Sequence, residues 1–510
     1  LTDMPVKDFI VAIELGSSKL RGIAGRKNLD GSITVSAIAS EDSSLNIRKG
    51  IVYNIDKTVQ GITNIVNRLK SSLGREISQV YVGVGGQSIL SVKNEIVRDL
   101  PKNTMITQQM VNELMDANRN KTYTDKEILD VAIQEYKVDN DYQTDPAGIQ
   151  ADRLVGNFLN ILWRKAFYNR LNDCFERAGI SIAELDIAPL ALADCMLDDT
   201  RKRAGCLLVD LGAETTTMLV YHKNMLRHIA VIPLGSNNIT KDLATLNYID
   251  EEQAEKMKKK YGSAYVETQN QDKSLEYPID PEHSISSIKF QQVVEARMQE
   301  IIENVWTQVP QEYKIKLNGG ILLTGGGANL KNVETAFRKV TKVDKVSTSF
   351  FIADNVNATG KNCSVPHDGT MNTLLGLLMK GDMSCDGGDL NEQRNIFTTT
   401  SQSVATKPAE TQATETTPQY GSVQSGTGRV PTPGEKIIQE KQNDKKEWDK
   451  AVLDNTIEAY ERYKETFPEG NFVAEADSKI SELKRKVSVG SKWKSFKNKL
   501  RDLISEPEDE

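Results

Sequence analysis

Residues 10–25 read IVAIELGSSKLRGIAG, and residues 206–221 read CLLVDLGAETTTMLVY. The two segments align without a gap: an apolar run, an acid, a leucine, a glycine, small polar residues and a second apolar run. Each pattern predicts a β-hairpin with an acid at the end of its first strand and a glycine-containing turn after it. Two such hairpins facing each other can hold a polyphosphate and its metal. Turn amides and hydroxyls of Gly16, Ser17, Ser18, Gly212, Thr215 and Thr216 are candidates to meet phosphate oxygens. Glu14 and Asp210 are candidates to hold a hydrated Mg2+, a hard cation that suits carboxylates and water.

A third glycine turn lies at residues 321–330, ILLTGGGANL, where a strand runs into Gly325, Gly326 and Gly327 and then a helix start. Glycines there let the backbone lie close to a flat or charged ligand. The order of elements does not fit a dinucleotide-binding fingerprint, and GxxxxGK[ST] is absent. One acid–x–Gly hairpin is an ordinary turn. Two in register and a third glycine turn favour a nucleotide site over a purely structural repeat.

The chain has 510 residues, enough for two or more domains. Its net charge of −7 gives no global basic field for nucleic acid. The 5 cysteines and 4 histidines are scattered, with no CxxC. That pattern argues for a reducing compartment and against a zinc site or disulfide scaffold. No apolar run is long enough to span a bilayer, and the first residues carry no signal-peptide pattern.

Residues 8 to about 380 read as one α/β body. The stretch 398–434 holds 14 Ser or Thr, 4 Pro and 4 Gly, with no Leu, Ile, Phe, Met or Trp, and is expected to be a disordered linker. Between 435 and 487, Trp448, Val452, Ala459 and Tyr463 recur at helical spacing. A break at residues 467–471 (FPEGN) separates them from Ala474, Ile480 and Leu483. This predicts a helical hairpin with the texture of a single tetratricopeptide-type unit, more simply a spacer than a peptide-binding module. Residues 491–504 (SKWKSFKNKLRDLI) place Trp493, Phe496, Leu500, Leu503 and Ile504 on one helical face, with Lys494, Lys497 and other cations around them. Basic residues paired with Trp and Phe suit an anionic lipid interface. A helix of about 20 Å lies on a bilayer rather than crossing it.

The hairpins and the TGGG turn are similar to those of the actin, hexokinase and heat-shock chaperone ATPase superfamily. Residues 46–54 (NIRKGIVYN), 80–86 (VYVGVGG), 128–145, 227–240 and 252–262 narrow the likeness: they resemble the FtsA family of bacterial cell-division actin homologues. The resemblance covers about residues 8–380, and a linker followed by an amphipathic helix also looks like FtsA. The hairpin at 435–487 is an addition to that plan. The resemblance implies an α/β, actin-like two-lobed fold: a first lobe over 8–205 with an inserted subdomain at about 88–168, and a second over 206–380. Within the insert, Met105–Ala117 reads as a helix and Ile128–Val138 as a strand region. The resemblance further implies ATP and Mg2+ as ligands, with Gly16 to Lys19 as the first phosphate loop and Asp210 to Thr216 as the second. Gly325 to Gly327 would touch the nucleoside, and Glu255 and Lys258 the adenosine side. Spacing alone puts the last two on one helix face. Implied partners are further copies of the chain through the insert, the FtsZ C-terminal tail on an outer subdomain at about 238–318, other division proteins and anionic lipids. The implied location is the cytoplasmic face of the inner membrane at the division site. A pilus-assembly actin homologue, a small-molecule kinase and a chaperone-type ATPase are the competing readings.

Two departures stand out. The second loop carries Glu214, an extra negative charge beside the expected phosphates, unfavourable unless it points out or pairs with a cation. Where actin-like ATPases place a Glu or Gln before a proline to orient water, this chain has Ala188-Pro189, with Asp186 two residues earlier. ATP binding with slow hydrolysis is the expectation.

Overall fold

The computed structural model describes residues 9–386 except 29, 268–273, 351–355 and 360–362, and residues 447–480 except 449, 452–455, 469, 471, 474, 475 and 478. Residues 1–403 and 404–510 are two compact units. The first begins with β1 (Ile10–Leu15), buried along its length apart from Glu14. The chain turns at Gly16–Ser18 into β2 (Lys19–Lys27) and continues as β3 (Ile33–Asp42). A small hairpin of β4 (Ile47–Arg48) and β5 (Ile51–Val52) turns through Lys49 and Gly50, whose φ angles of 51° and 73° give the type I′ loop that matches strand twist. In α1 (Ile55–Leu73) the Asn54 side chain caps the Lys57 N–H, and left-handed Gly74 ends the helix. β6 (Gln79–Val84) leads to the insert: β7 (Leu90–Met105), α2 (Gln108–Arg119), β8 (Lys126–Ile133), β9 (Tyr136–Val138), β10 (Asp141–Gln143) and β11 (Gln150–Arg164). α3 (Lys165–Arg177) and β12 (Ser181–Ile187) return to the first lobe, and α4 (Ala188–Met196) and α5 (Asp199–Ala204) lead out of it.

The second lobe opens with β13 (Cys206–Leu211), β14 (Thr216–His222) and β15 (Met225–Ile232). Its outer part is α6 (Ser236–Asn247), α7 (Glu251–Tyr261), β16 (Glu276–Pro278), β17 (Ser284–Ser286), α8 (Ser287–Gln308) and α9 (Gln311–Lys314). Then come β18 (Gly320–Thr324), a 3₁₀ turn over Gly326–Asn329, α10 (Val333–Thr341), β19 (Val346–Thr348), β20 (Val356–Ala358) and α11 (Asn372–Lys380).

The sequence repeat is a fold repeat. The strand order β3-β2-β1-β6-β12 in one sheet matches β15-β14-β13-β18-β19 in the other. In each, the acid-bearing strand lies between an antiparallel hairpin partner and a parallel neighbour. Fully buried parallel strands need apolar residues on both faces, which explains the unbroken runs in β6 (QVYVGV) and β18 (GILLT).

Two boundaries differ from expectation. The second lobe does not run unbroken to residue 380: β20 pairs with β3 at the edge of the first sheet, and α11 packs on β1, β2, β6 and α4. The apolar face of α11 (Leu374, Leu375, Leu377, Leu378) completes the first lobe's core. In the insert the helix begins at Gln108, because the Thr107 hydroxyl accepts the Met110 N–H, while Met105 still belongs to β7.

The insert has a small core of its own, including Ile106, Val111, Leu114, Tyr136, Leu154 and Phe158. Its sheet is continuous with the second lobe, because Leu90 of β7 pairs with Ala230 of β15. Beside that pair, the Arg227 guanidinium donates to both oxygens of Glu135 (2.6 and 2.7 Å) and to the side-chain Oε1 of Gln134 (2.9 Å). The Gln134 amide donates to the Leu226 carbonyl (2.9 Å).

In the second unit, α12 (Ile457–Thr466) is capped by Thr456 and stops at Phe467, at the expected break. Trp448, Tyr460, Tyr463, Ala476 and Ile480 bury together, and the Trp448 and Phe472 rings stack with centroids 5.2 Å apart. The linker at 398–434 lies outside the described residues, as do Trp493, Lys494, Phe496, Lys497, Leu500, Leu503 and Ile504. Among the described residues, no helix is long and apolar enough to cross a membrane.

Candidate nucleotide site

Strand register gives the two hairpin turns the same construction. Leu15 faces Leu20 and Glu14 faces Arg21 in one; Leu211 faces Thr216 and Asp210 faces Thr217 in the other. A Cβ on Gly16 would stand 2.7 Å from the Lys19 carbonyl, and one on Gly212 2.7 Å from the Thr215 carbonyl. Glycine is required twice for one reason: each turn folds its backbone back onto itself.

The third turn packs against the second. Gly325 has a φ of +84°, and a side chain there would run into the Asp210 carboxylate. Gly327 lies against Leu211 and Ser236, where a Cβ would sit 2.9 Å and 3.3 Å from their Cβ atoms. Gly326 is different, with Thr370 at an ordinary 3.4 Å. The Asn372 amide donates to the Thr324 hydroxyl (2.9 Å), tying the start of α11 to the end of β18.

Behind the second turn stands Lys258. It is 5% exposed, and its Nζ donates to the Ser236 carbonyl (3.1 Å), the Thr240 hydroxyl (2.8 Å) and Glu255 (2.5 Å). The Ser236 N–H donates to the Gly212 carbonyl (2.9 Å). Lys258 therefore braces α6 and α7 against the turn instead of projecting as a free cation. The Lys258 and Thr240 contacts hold the Glu255 carboxyl below the usual range against the opposing effect of burial.

The two acids face a common space. Burial pushes Glu14 up to about 7, with the Asp210 charge adding to the rise and Arg21 opposing it. Burial pushes Asp210 up to about 6, again opposed by Arg21. Glu14 Oε2 is shut off from solvent without a hydrogen-bond partner. Two carboxylates, one with an orphaned oxygen, fit a hard divalent cation that keeps several waters. Among the described residues no three His, Cys, Asp or Glu side chains form a full ligand set, so any cation here depends on waters or ligand oxygens.

Other candidates are placed less simply. Thr216 is fully buried, and its hydroxyl donates to the Leu234 carbonyl (2.9 Å), so that hydroxyl is not presented to a phosphate. Lys19 is exposed on β2. The Ser17 hydroxyl accepts the Gly50 N–H (2.7 Å), and the Ser18 carbonyl accepts the Ser43 N–H (3.2 Å). Glu214 meets the condition set for it: Oε2 accepts the Lys49 N–H (2.8 Å) and Oε1 lies 3.4 Å from Lys241 Nζ. Ala188 is buried against Gly83. Burial and the Glu184 and Asp382 charges push Asp186 up to about 6 against the pull of Lys380, and its Oδ2 is buried without a hydrogen-bond partner. Arg21, Ser236, Thr240 and Lys49 were not singled out from sequence. Arg21 was within reach, because a turn that pairs Leu15 with Leu20 must pair Glu14 with Arg21.

Two sheets of one topology, an acid at the end of each central strand and glycine turns converging on those acids define an actin-like two-lobed protein. The FtsA model, "Cell division protein FtsA", matches residues 207–361, and the model "SHS2 domain inserted in FTSA" matches residues 86–162. Cell division protein FtsA of Bacillus subtilis (strain 168) is 30% identical, covering 64% of this chain and 75% of that protein. The Porphyromonas gingivalis protein of the same name is 29% identical over 68% of this chain and 76% of its own. That of Escherichia coli (strain K12) is 25% identical over 76% and 94%. The "PilM-PilN type IV pilus biogenesis complex" shares the fold, with a TM-score of 0.52 at 15% identity, covering 74% of this chain and 99% of that one. The chain belongs to the FtsA family of cell-division proteins.

Proposed function

We propose that this cell-division protein binds ATP with Mg2+ between its two phosphate hairpins, assembles into actin-like filaments on the cytoplasmic face of the membrane, and anchors FtsZ there. The carrying observation is the repeated hairpin that sets Glu14 and Asp210 against one space, with Gly325 shaped to the Asp210 carboxylate. Bound Mg2+ would neutralise phosphate charge. Glu14 and Asp210 would hold its waters, while the Gly16–Ser18 and Ala213–Thr215 amides would take phosphate oxygens. Gly325 to Gly327 would line the nucleoside. Hydrolysis would be slow, because Ala188 offers no group to orient water.

The likeness to the FtsA relatives supports the remaining roles. The insert at 86–162 would stack subunits, the outer part of the second lobe would take the FtsZ tail, and residues 491–504 would lie on anionic lipid. One such helix binds weakly, and a filament multiplies its effect. The test is electron microscopy of the full chain with Mg-ATP on an anionic lipid monolayer. Filaments on lipid are expected for the wild type. Trp493→Glu with Phe496→Glu should keep ATP binding and lose the lipid, and Gly326→Asp should lose ATP. Lipid binding by the double variant would sink the tail assignment.

A further inference from the structure

Glu214 does more than avoid the phosphates. Its turn belongs to the second lobe, and its Oε2 accepts a backbone N–H from Lys49 of the first, at 2.8 Å. The neighbouring amide, Gly50 N–H, is taken by Ser17 of the first phosphate turn at 2.7 Å. The type I′ loop of β4 and β5 thus presents two consecutive amides, and each phosphate turn grips one of them. The other Glu214 oxygen faces Lys241 Nζ at 3.4 Å. An anionic oxygen that takes a backbone N–H on one lobe and faces a lysine on the other is what a terminal phosphate oxygen would be. The Glu214 side chain is 18% exposed, so its charge is felt inside the cleft and only partly screened. The loop cannot simply recoil. Gly50 is packed against Gly86 with no room for a Cβ on either, and the Lys49 carbonyl accepts the Gln87 N–H at 2.9 Å.

We propose that Glu214 is a tethered stand-in for a terminal phosphate: it draws the two lobes together on the Lys49–Gly50 turn without nucleotide, and it lowers the preference of the site for a nucleoside triphosphate over a diphosphate. This rests on the nucleotide reading above. Glu214 is a positioning residue in this scheme, since it acts through the Lys49 amide and through its charge.

The experiment uses the full chain as wild type, Glu214→Gly and Glu214→Gln. Amide hydrogen exchange over residues 46–53 is followed without nucleotide, and Mg-ATP and Mg-ADP are then titrated calorimetrically. Glu214→Gly should exchange the Lys49 amide about tenfold faster and raise the ATP-over-ADP affinity ratio about tenfold. Glu214→Gln keeps an acceptor but no charge, so it should stay protected while the ratio still rises. A purely structural contact would alter protection and leave the ratio unmoved. Unchanged exchange in Glu214→Gly, or an unchanged ratio in both variants, overturns the proposal. If no protein binds either nucleotide, the nucleotide reading fails, and the exchange result still decides whether Glu214 holds the turn.

Discussion

At the scale of single residues, the glycines are not equivalent. Gly325 sits at φ +84° with the Asp210 carboxylate where its Cβ would be, whereas Gly326 has Thr370 at 3.4 Å. Gly325→Ala should therefore cost about 1–3 kcal/mol in urea unfolding and at least tenfold in ATP affinity by calorimetry. Gly326→Ala should be close to neutral in stability. The acids and glycines of the site were legible in sequence because their spacing repeats. The role of Lys258 was not, since i,i+3 spacing puts it beside Glu255 but cannot say that Ser236 and Thr240 complete its shell. The Thr216 hydroxyl misled for a similar reason. Its position in the turn suggests a phosphate ligand, and only the packing of β14 against the Leu234 carbonyl removes it from the cleft.

Among the elements, the joint between β7 and β15 carries a titratable group with no part in nucleotide binding. His228 Nδ1 lies 3.0 Å from the Ser91 hydroxyl, and burial, with Lys93 adding to it and Glu312 opposing it, lowers the imidazole to about 4. The folded pKa lies below the unfolded value of 6.5, so on acidification the unfolded chain takes up the proton first. Stability from the neutral imidazole is intact above 6.5 and is lost as pH falls toward 4, by up to about 1.4 kcal/mol per unit. Glu14 and Asp210 act with the opposite sign. His228→Gln isolates the imidazole: the urea midpoint should fall less between pH 7.5 and 5 than in the wild type, and equal slopes would contradict the assignment. Sequence patterning yields the strands and helices, because each is written in neighbouring residues. It does not yield the Leu90–Ala230 pairing or the return of β20 and α11 to the first lobe, because those joints bring together residues far apart in the chain and alter no local period.

For the molecule as a whole, the two-lobed plan is what the resemblance carried by the hairpins and the TGGG turn implies, and the chain divides into compact units 1–403 and 404–510. The first unit has its own core, so a chain ending at residue 403 should keep the calorimetric melting transition of that unit. It should keep ATP affinity while losing attachment to anionic liposomes. A large fall in melting temperature would mean that the second unit supports the first. The seam between insert and second lobe has a mechanical consequence. The insert is joined by covalent chain to one lobe and by Leu90, Gln134 and Glu135 to the other, all near one end of its longest strand. From that root, β7 and β11 stay paired from Leu162 to Gln150, an arm of about 40 Å. Pivoting such an arm by about 5° sweeps its tip through roughly 3.5 Å. A cleft movement too small to disturb either core is thus geared up at the tip to a step as wide as a side chain, enough to engage or disengage whatever touches it.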